Sequence, residues 1–365
     1  MTGKDFHLDL PTCRRGAFAV PGDINTQTGG YRYDRKLVDG LRALGWDITL
    51  LQLGTSFPNP TSQDMRDAEK QLAALPEDCP VIIDGLALGA FDPAVLDAVN
   101  ASIVALIHHP LARENGHSAE QRAHFLTSER QNLARAVHVL VPSPHTAKVL
   151  HADYDVSTSR ITIARPGTDR PLSTGVKTDP PLILSVGIQV SRKGHDVLLK
   201  ALARLTAHTW TAIIAGGAFD PDHAAELARL VNELGLSDRV KIVGAVSDET
   251  LSHLYGQASL FALATRYEGY GIVFDEAMVH GLPIVTCRVG AVPDTVAPDA
   301  GRLVPPDDPL AFAAALEDLL DNAHERREMA SASARAGAAL PTWDDTVKIV
   351  DETLLRVAST QVTKV

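Results

Sequence analysis

No apolar run in this sequence reaches the ~20 residues needed to span a bilayer. The segment Met1 to Leu10 alternates charged and apolar residues and lacks the basic-then-apolar order of a signal peptide. Cysteine is scarce: Cys13, Cys79 and Cys287 are odd in number and far apart, which argues against a disulfide framework or a zinc site. That usage fits a reducing compartment, so a cytoplasmic protein is expected. Aromatic residues make up only 5% of the chain, too few for a stacking platform for single-stranded nucleic acid. Lysine and arginine number 34 against 45 acidic residues, and the net charge of −11 disfavours phosphate backbones, so no nucleic-acid partner is expected. No GxGxxG follows a strand, no Walker A pattern occurs, and neither Cys287 nor any serine sits in a nucleophile elbow.

What is present is a regular alternation of short β-rich runs with amphipathic helices, the signature of parallel sheets covered by helices. Strands are expected at Ala17–Val20, Ile48–Gln52, Val81–Asp84, Ile103–Ile107 and Val137–Val141. A second set is expected at Leu182–Val186, Thr211–Ala215, Val240–Val243, Leu260–Leu263 and Ile284–Thr286. Between the sets, Arg165–Pro181 is rich in proline, glycine and threonine and reads as a linker. The expected organisation is α/β, with a first doubly wound domain over 1–170 and a second over 171–341. Residues 342–365 form a final helix that either closes the second domain or crosses back to the first.

The segment richest in chemistry is Arg266–Pro283, RYEGYGIVFDEAMVHGLP, directly after the Leu260–Leu263 strand. Gly269 and Gly271 let the backbone turn tightly, and a helix begins near Ile272 and stops at Gly281–Leu282–Pro283. Its first amides, on Gly271, Ile272 and Val273, have no partner inside the helix and form a site for phosphate oxygens. Glu268 lies just before this helix start and Glu276 one turn beyond it. Each carboxylate can accept hydrogen bonds from paired sugar hydroxyls. Two solvated glutamates on a surface helix are the plain alternative.

This segment resembles the paired-glutamate signature of the retaining glycosyltransferases of family four. The similarity extends over nearly the whole chain and is strongest from Leu182 to Pro306. The resemblance implies the GT-B fold: two Rossmann-like domains facing across a cleft, with the donor-binding domain second and the acceptor side first. It implies that Glu268 contacts the transferred sugar, Glu276 the ribose hydroxyls, and the amides of Gly271, Ile272 and Val273 the phosphates.

Other segments extend the resemblance. In Ser185–Leu202, Arg192 and Lys193 project from the loop after a strand, where a cation can neutralise a departing diphosphate. Lys193 matches the family's diphosphate-binding lysine. The family's arginine after the strand-ending glycine is replaced by Ile188, so Arg192 is a candidate substitute. Gly29 and Gly30, opening the first helix, match a loop that reaches across the cleft towards the diphosphate. His108 matches the cleft histidine. Adjacent side chains of extended chain diverge, so His109 is expected to be structural and a metal-binding histidine pair is not expected. Val243, with the segment to Val246, matches the stretch that meets the nucleotide base.

The expected function is therefore metal-independent, retaining transfer of a sugar from a nucleotide-diphosphate sugar to an unidentified acceptor. UDP is favoured over GDP or ADP, and no resident cofactor is expected. The catalytic candidates are Glu268, His108 and Lys193. The competing reading is a cytoplasmic nucleotide-sugar sensor or pseudoenzyme without turnover, for which Ile188 is the main argument. Membrane contact through Arg113, Arg122, Arg130 and Arg135 is a weaker reading than an ordinary solvated helix face.

Overall fold

β-Branched and leucine-rich runs, each closed by a turn residue, build two parallel sheets in the computed structural model, which describes residues 14–114, 116–171 and 175–362. Cys13 and the Met1–Leu10 segment lie outside the described residues. The first sheet comprises β1 (Arg15–Pro21), β2 (Asp47–Leu53), β3 (Val81–Asp84), β4 (Ile103–Leu106), β5 (His138–Val141) and β6 (Ile161–Ile163). The second comprises β7 (Leu182–Val186), β8 (Thr211–Ala215), β9 (Val240–Gly244), β10 (Leu260–Leu263), β11 (Ile284–Cys287) and β12 (Gly301–Val304). The strand orders are β2-β1-β3-β4-β5-β6 and β12-β11-β10-β7-β8-β9. The chain thus starts one strand in from the edge of the first sheet and in the middle of the second, winds to one edge, and returns to the other side of its starting strand.

This doubly wound order opens a crevice at the carboxyl ends of the strands where the winding reverses, between β1 and β3 in one sheet and between β7 and β10 in the other. Alternation of side chains along each strand gives both sheets two apolar faces. Ala17 and Ala19 join one core layer, whereas Phe18 and Val20 join the other. Ile183 and Leu184 separate in the same way in the second sheet. The result is a GT-B architecture.

β6 and β12 escaped the sequence reading. Both are edge strands, only half-buried, without the continuous apolar run that marks the inner strands. The small-residue stretch from Ser331 onward belongs largely to the helix Ala323–Ala338, where alanine favours helix over loop.

The helix Trp343–Val362 follows the second sheet in sequence but packs on the first. Trp343 meets Tyr33 edge-on at 5.8 Å, and the Trp46 indole donates to Asp351 at 2.7 Å. Val347, Val350 and Leu354 complete a layer with Phe18, Leu37 and Leu41. Val350→Ala is therefore expected to lower unfolding free energy by roughly 2 kcal/mol, measured by urea titration. An unchanged midpoint would mean that this helix is not integral to the first sheet's core. No helix among the described residues is long and apolar enough to cross a membrane. Arg113 and Arg135 pair with Asp153 and Asp97, and Arg122 and Arg130 donate to backbone carbonyls.

Candidate active site

The strand ends of both sheets converge on one cavity of about 780 Å³. The helix Gly29–Ala43 starts there, directly after β1, with Thr28 as its N-cap accepting the Tyr31 amide. Asp84 ends β3, and His108 and His109 follow β4. From the second sheet come Arg192 and Lys193 after β7, and Glu268 after β10. The helix Ile272–Val279 points its first turn into the same space.

Lys193 Nζ donates to Glu268 Oε1 at 2.7 Å, and the Thr265 hydroxyl donates to the same oxygen at 3.0 Å. Glu268 is only 4% exposed. Burial pushes its carboxyl up, yet Lys193 and then Arg192 outweigh that effect and hold it below the usual carboxylate range. Burial likewise depresses the Lys193 ammonium, with Glu268 opposing. Arg192 is held by Glu114 at 2.9 Å, the Tyr267 carbonyl at 3.0 Å and Glu268 at 3.5 Å.

Gly271 takes φ +92° as the N-cap of its helix, a left-handed conformation that glycine adopts without a Cβ penalty. Glu276, one turn on, accepts from Tyr255 Oη at 2.8 Å and from Arg32, which reaches over from the first domain's helix. Burial raises the Glu276 carboxyl above its ordinary value, with Arg32 and Tyr255 opposing. Gly29 and Gly30 lie opposite. A methyl group built on Gly29 would sit 3.9 Å from Ile272, and one on Gly30 3.5 Å from the His108 ring.

His108 is flanked by two buried carboxylates. Its Nε2 lies 2.9 Å from Asp34 and 3.5 Å from Asp84. Burial alone would lower the imidazole pKa, but Asp34 and then Asp84 raise it above the ordinary value. Burial and the neighbouring Asp34 push Asp84 up to about 7. The donor atoms of these three residues lie within 4.8 Å of one another, close enough to hold a metal ion. The sequence offered no third group beside the histidines; the fold supplies two.

Two sequence expectations are corrected. His109 was expected to turn away from the site, yet both histidines line the cavity. They lie in a bend beyond the end of β4, where the alternation of a pleated strand no longer applies. His109 Nε2 meets Glu114 at 2.5 Å, and Glu114 also holds Arg192, so one carboxylate bridges the two domains. Burial would raise that carboxylate, but His109 and Arg192 bring it down to about 2. Val243 is the second correction: it faces outward on β9, 40% exposed, and does not line the cavity. The pleat turns Val243 away, while Ala245 and Val246, past the strand's end, line the wall.

Residues 170–336, which carry β7 to β12, Lys193, Glu268 and Glu276, match the family model described as glycosyl transferases group 1. These residues belong to the group 1 glycosyltransferases. It is 28% identical over 324 residues to an MMP alpha-(1->4)-mannosyltransferase of Mycolicibacterium hassiacum, covering 83% of this chain and 77% of that one. It is 32% identical over 233 residues to a D-inositol 3-phosphate glycosyltransferase of Mycolicibacterium smegmatis, covering 60% of this chain and 52% of that one. The chain therefore spans about half the length of that second relative. Among solved structures, sucrose-phosphate synthase from Thermosynechococcus elongatus superposes with a TM-score of 0.79 at 21% identity, over 95% of this chain and 100% of that one. Anabaena HepE in complex with UDP and glucose superposes at 0.74 and 18%, over 94% and 99%.

Several residues that shape the site of this glycosyltransferase were missed in sequence: Arg32, Asp34, Asp84 and Glu114. One had a usable signal. Asp84 is a carboxylate at the carboxyl end of an otherwise apolar strand, where burial demands a partner. Arg32 and Asp34 look like ordinary polar positions in the first turns of a helix, and nothing local distinguishes them.

Proposed function

We propose that the chain transfers a sugar from a nucleotide-diphosphate sugar, with UDP the favoured nucleotide, to an acceptor bound on the first domain's side of the cavity, with retention and without a metal. The observation that carries this reading is the convergence of Lys193, the unpaired amides at Gly271–Val273 and the Gly29–Gly30 turn on one cavity between two domains. A departing diphosphate needs charge stabilisation where the charge develops. Charge-assisted hydrogen bonds contribute about 1.5–3 kcal/mol each, so three or four such donors can offset a metal ion.

Front-face attack, with the leaving phosphate accepting the acceptor's proton, fits the state of Glu268. Its Oε1 accepts from Lys193 and Thr265 and its Oε2 lies 3.5 Å from Arg192, an anchored carboxylate that suits binding of sugar hydroxyls more than nucleophilic attack on carbon. His108, whose Nε2 is held by Asp34, lines the cavity from the first domain, where it can meet the transferred sugar. Cytoplasmic action fits Cys287, which is buried and free.

The test is calorimetric titration with UDP, followed by transfer from a panel of UDP-, GDP- and ADP-sugars in EDTA. Binding of UDP with full transfer in EDTA supports the reading. A requirement for an added divalent ion would reject the metal-free part and point to Asp34, Asp84 and His108. Binding without transfer to any acceptor, including water, would favour the sensor reading that Ile188 motivates. Glu276→Ala is expected to weaken UDP binding roughly 10-fold, through loss of charged hydrogen bonds to the ribose. Intact affinity would reject the ribose role.

A further inference from the structure

Arg32 carries an inference that rests on the proposed donor site. Four guanidinium or ammonium side chains line the cavity among the described residues: Arg32, Arg35, Arg192 and Lys193. Two are committed to groups that a donor would not displace. Arg35 is tied to the backbone carbonyls of Ile24 and Thr26 at 2.6 and 3.3 Å. Arg192 is fixed by Glu114 and the Tyr267 carbonyl. Lys193, beside Glu268, is the diphosphate ligand already proposed on the second domain.

Arg32 differs. Its two terminal nitrogens contact only carboxylates: Glu276, the proposed ribose ligand, and Asp169 at 2.9 Å. Asp169 has a second cation, Lys36, at 3.0 Å, so it keeps a partner if Arg32 departs. Ribose hydroxyls arriving at Glu276 compete directly for the oxygen that Arg32 occupies. The guanidinium sits on the first turn of the helix that begins with Gly29 and Gly30, opposite Ile272, at the end of the cavity where the unpaired amides lie. Side chains on a helix lean towards its N-terminus, which directs both Glu276 and Arg32 to this end.

We infer that Arg32 is a donor-binding catalytic residue: the ribose takes over Glu276, and the released guanidinium turns to the diphosphate, supplying from the first domain the cation that Ile188 does not provide in the second. No covalent bond changes; the step exchanges one carboxylate partner for phosphate oxygens, which suit a guanidinium fork. Donor binding thereby draws the first domain onto the second.

The experiment measures donor KM, kcat and calorimetric UDP affinity for Arg32→Ala, Arg32→Lys and the double variant Arg32→Ala/Ile188→Arg, with thermal melting as a control for folding. Arg32→Ala is expected to lose roughly 10- to 100-fold in kcat/KM, the size of one charge-assisted contact. Arg32→Lys should recover part of that loss, and Ile188→Arg in the alanine background should recover more, since it restores a guanidinium to the opposite wall. If Arg32 only blocked Glu276, its removal would tighten UDP binding and leave or raise kcat/KM, and that result overturns the inference. Failure of the double variant to improve on Arg32→Ala, with normal melting, also overturns it. If the wild-type protein binds no UDP at all, the donor-site reading fails first, and the two failures are distinguishable.

Discussion

Lys193→Ala is expected to cut kcat by roughly 10²- to 10³-fold, the loss seen when one preorganised donor is removed from a developing negative charge. The side chain is only 11% exposed and its ammonium lies 2.7 Å from Glu268, so it is already oriented and largely desolvated before the donor arrives. Its removal has a second consequence with a definite sign. Glu268 is held below the usual carboxylate range against the upward push of burial, because Lys193 and then Arg192 face it. Without Lys193, Glu268 keeps Arg192 at 3.5 Å and Thr265 at 3.0 Å. The Glu268 pKa then rises, and the acid limb of the pH–rate profile moves to higher pH. Single-turnover transfer measured by mass spectrometry across pH checks both effects. A wild-type rate with an unmoved acid limb would remove Lys193 from the machinery.

Gly269→Ala is expected to lose about 10²-fold in transfer while keeping most of the UDP affinity, which rests mainly on the second domain. A Cβ at this position would lie 2.1 Å from the His108 carbonyl oxygen and 2.9 Å from the His109 Cβ, both on the opposing domain. Neither neighbour is the flexible end of a side chain, so the domains must separate by about 1 Å to restore ordinary contact. Misplacement of that size costs about 10² in rate when reacting groups come from both sides of a cleft. The Ser143 hydroxyl, which donates to the Gly269 carbonyl at 2.7 Å, would lose part of its bond as well. Of the groups proposed to bind UDP, Lys193, Glu276 and the Gly271–Val273 amides sit on the second domain and are not displaced, whereas Gly29–Gly30 and Arg32 move with the first. Steady-state kinetics paired with calorimetry separates the two effects. Full-rate transfer by this variant would show that the close approach of Gly269 to His108 is not needed for chemistry.

The inner strands and the donor-side motif were legible in the sequence because their information is local. Leu260–Leu263 is an unbroken apolar run and Leu182–Val186 is interrupted only by Ser185, both ending at loops, which marks buried parallel strands. Glu268, the helix start at Ile272 and Glu276 fall within nine residues of one another, so one supersecondary unit presents them together. The edge strands β6 and β12 were not legible, because half-burial at a sheet edge leaves no distinctive pattern.

The sequence by itself determined the two-sheet α/β plan, the glycosyltransferase resemblance and which residues of the second domain gather around the helix start at Ile272. Only the tertiary structure decided which distant charges meet. Arg32 and Glu276 are 244 positions apart, Arg192 and Glu114 are 78 apart, and His108 and Asp34 are 74 apart. It also decided that the last helix lies on the first sheet and that Val243 faces outward while His109 faces in. The physical reason is one of range. Backbone propensity and apolar periodicity act over a few residues, whereas the partner of a buried charge is chosen by whichever desolvated group the packed domains bring beside it.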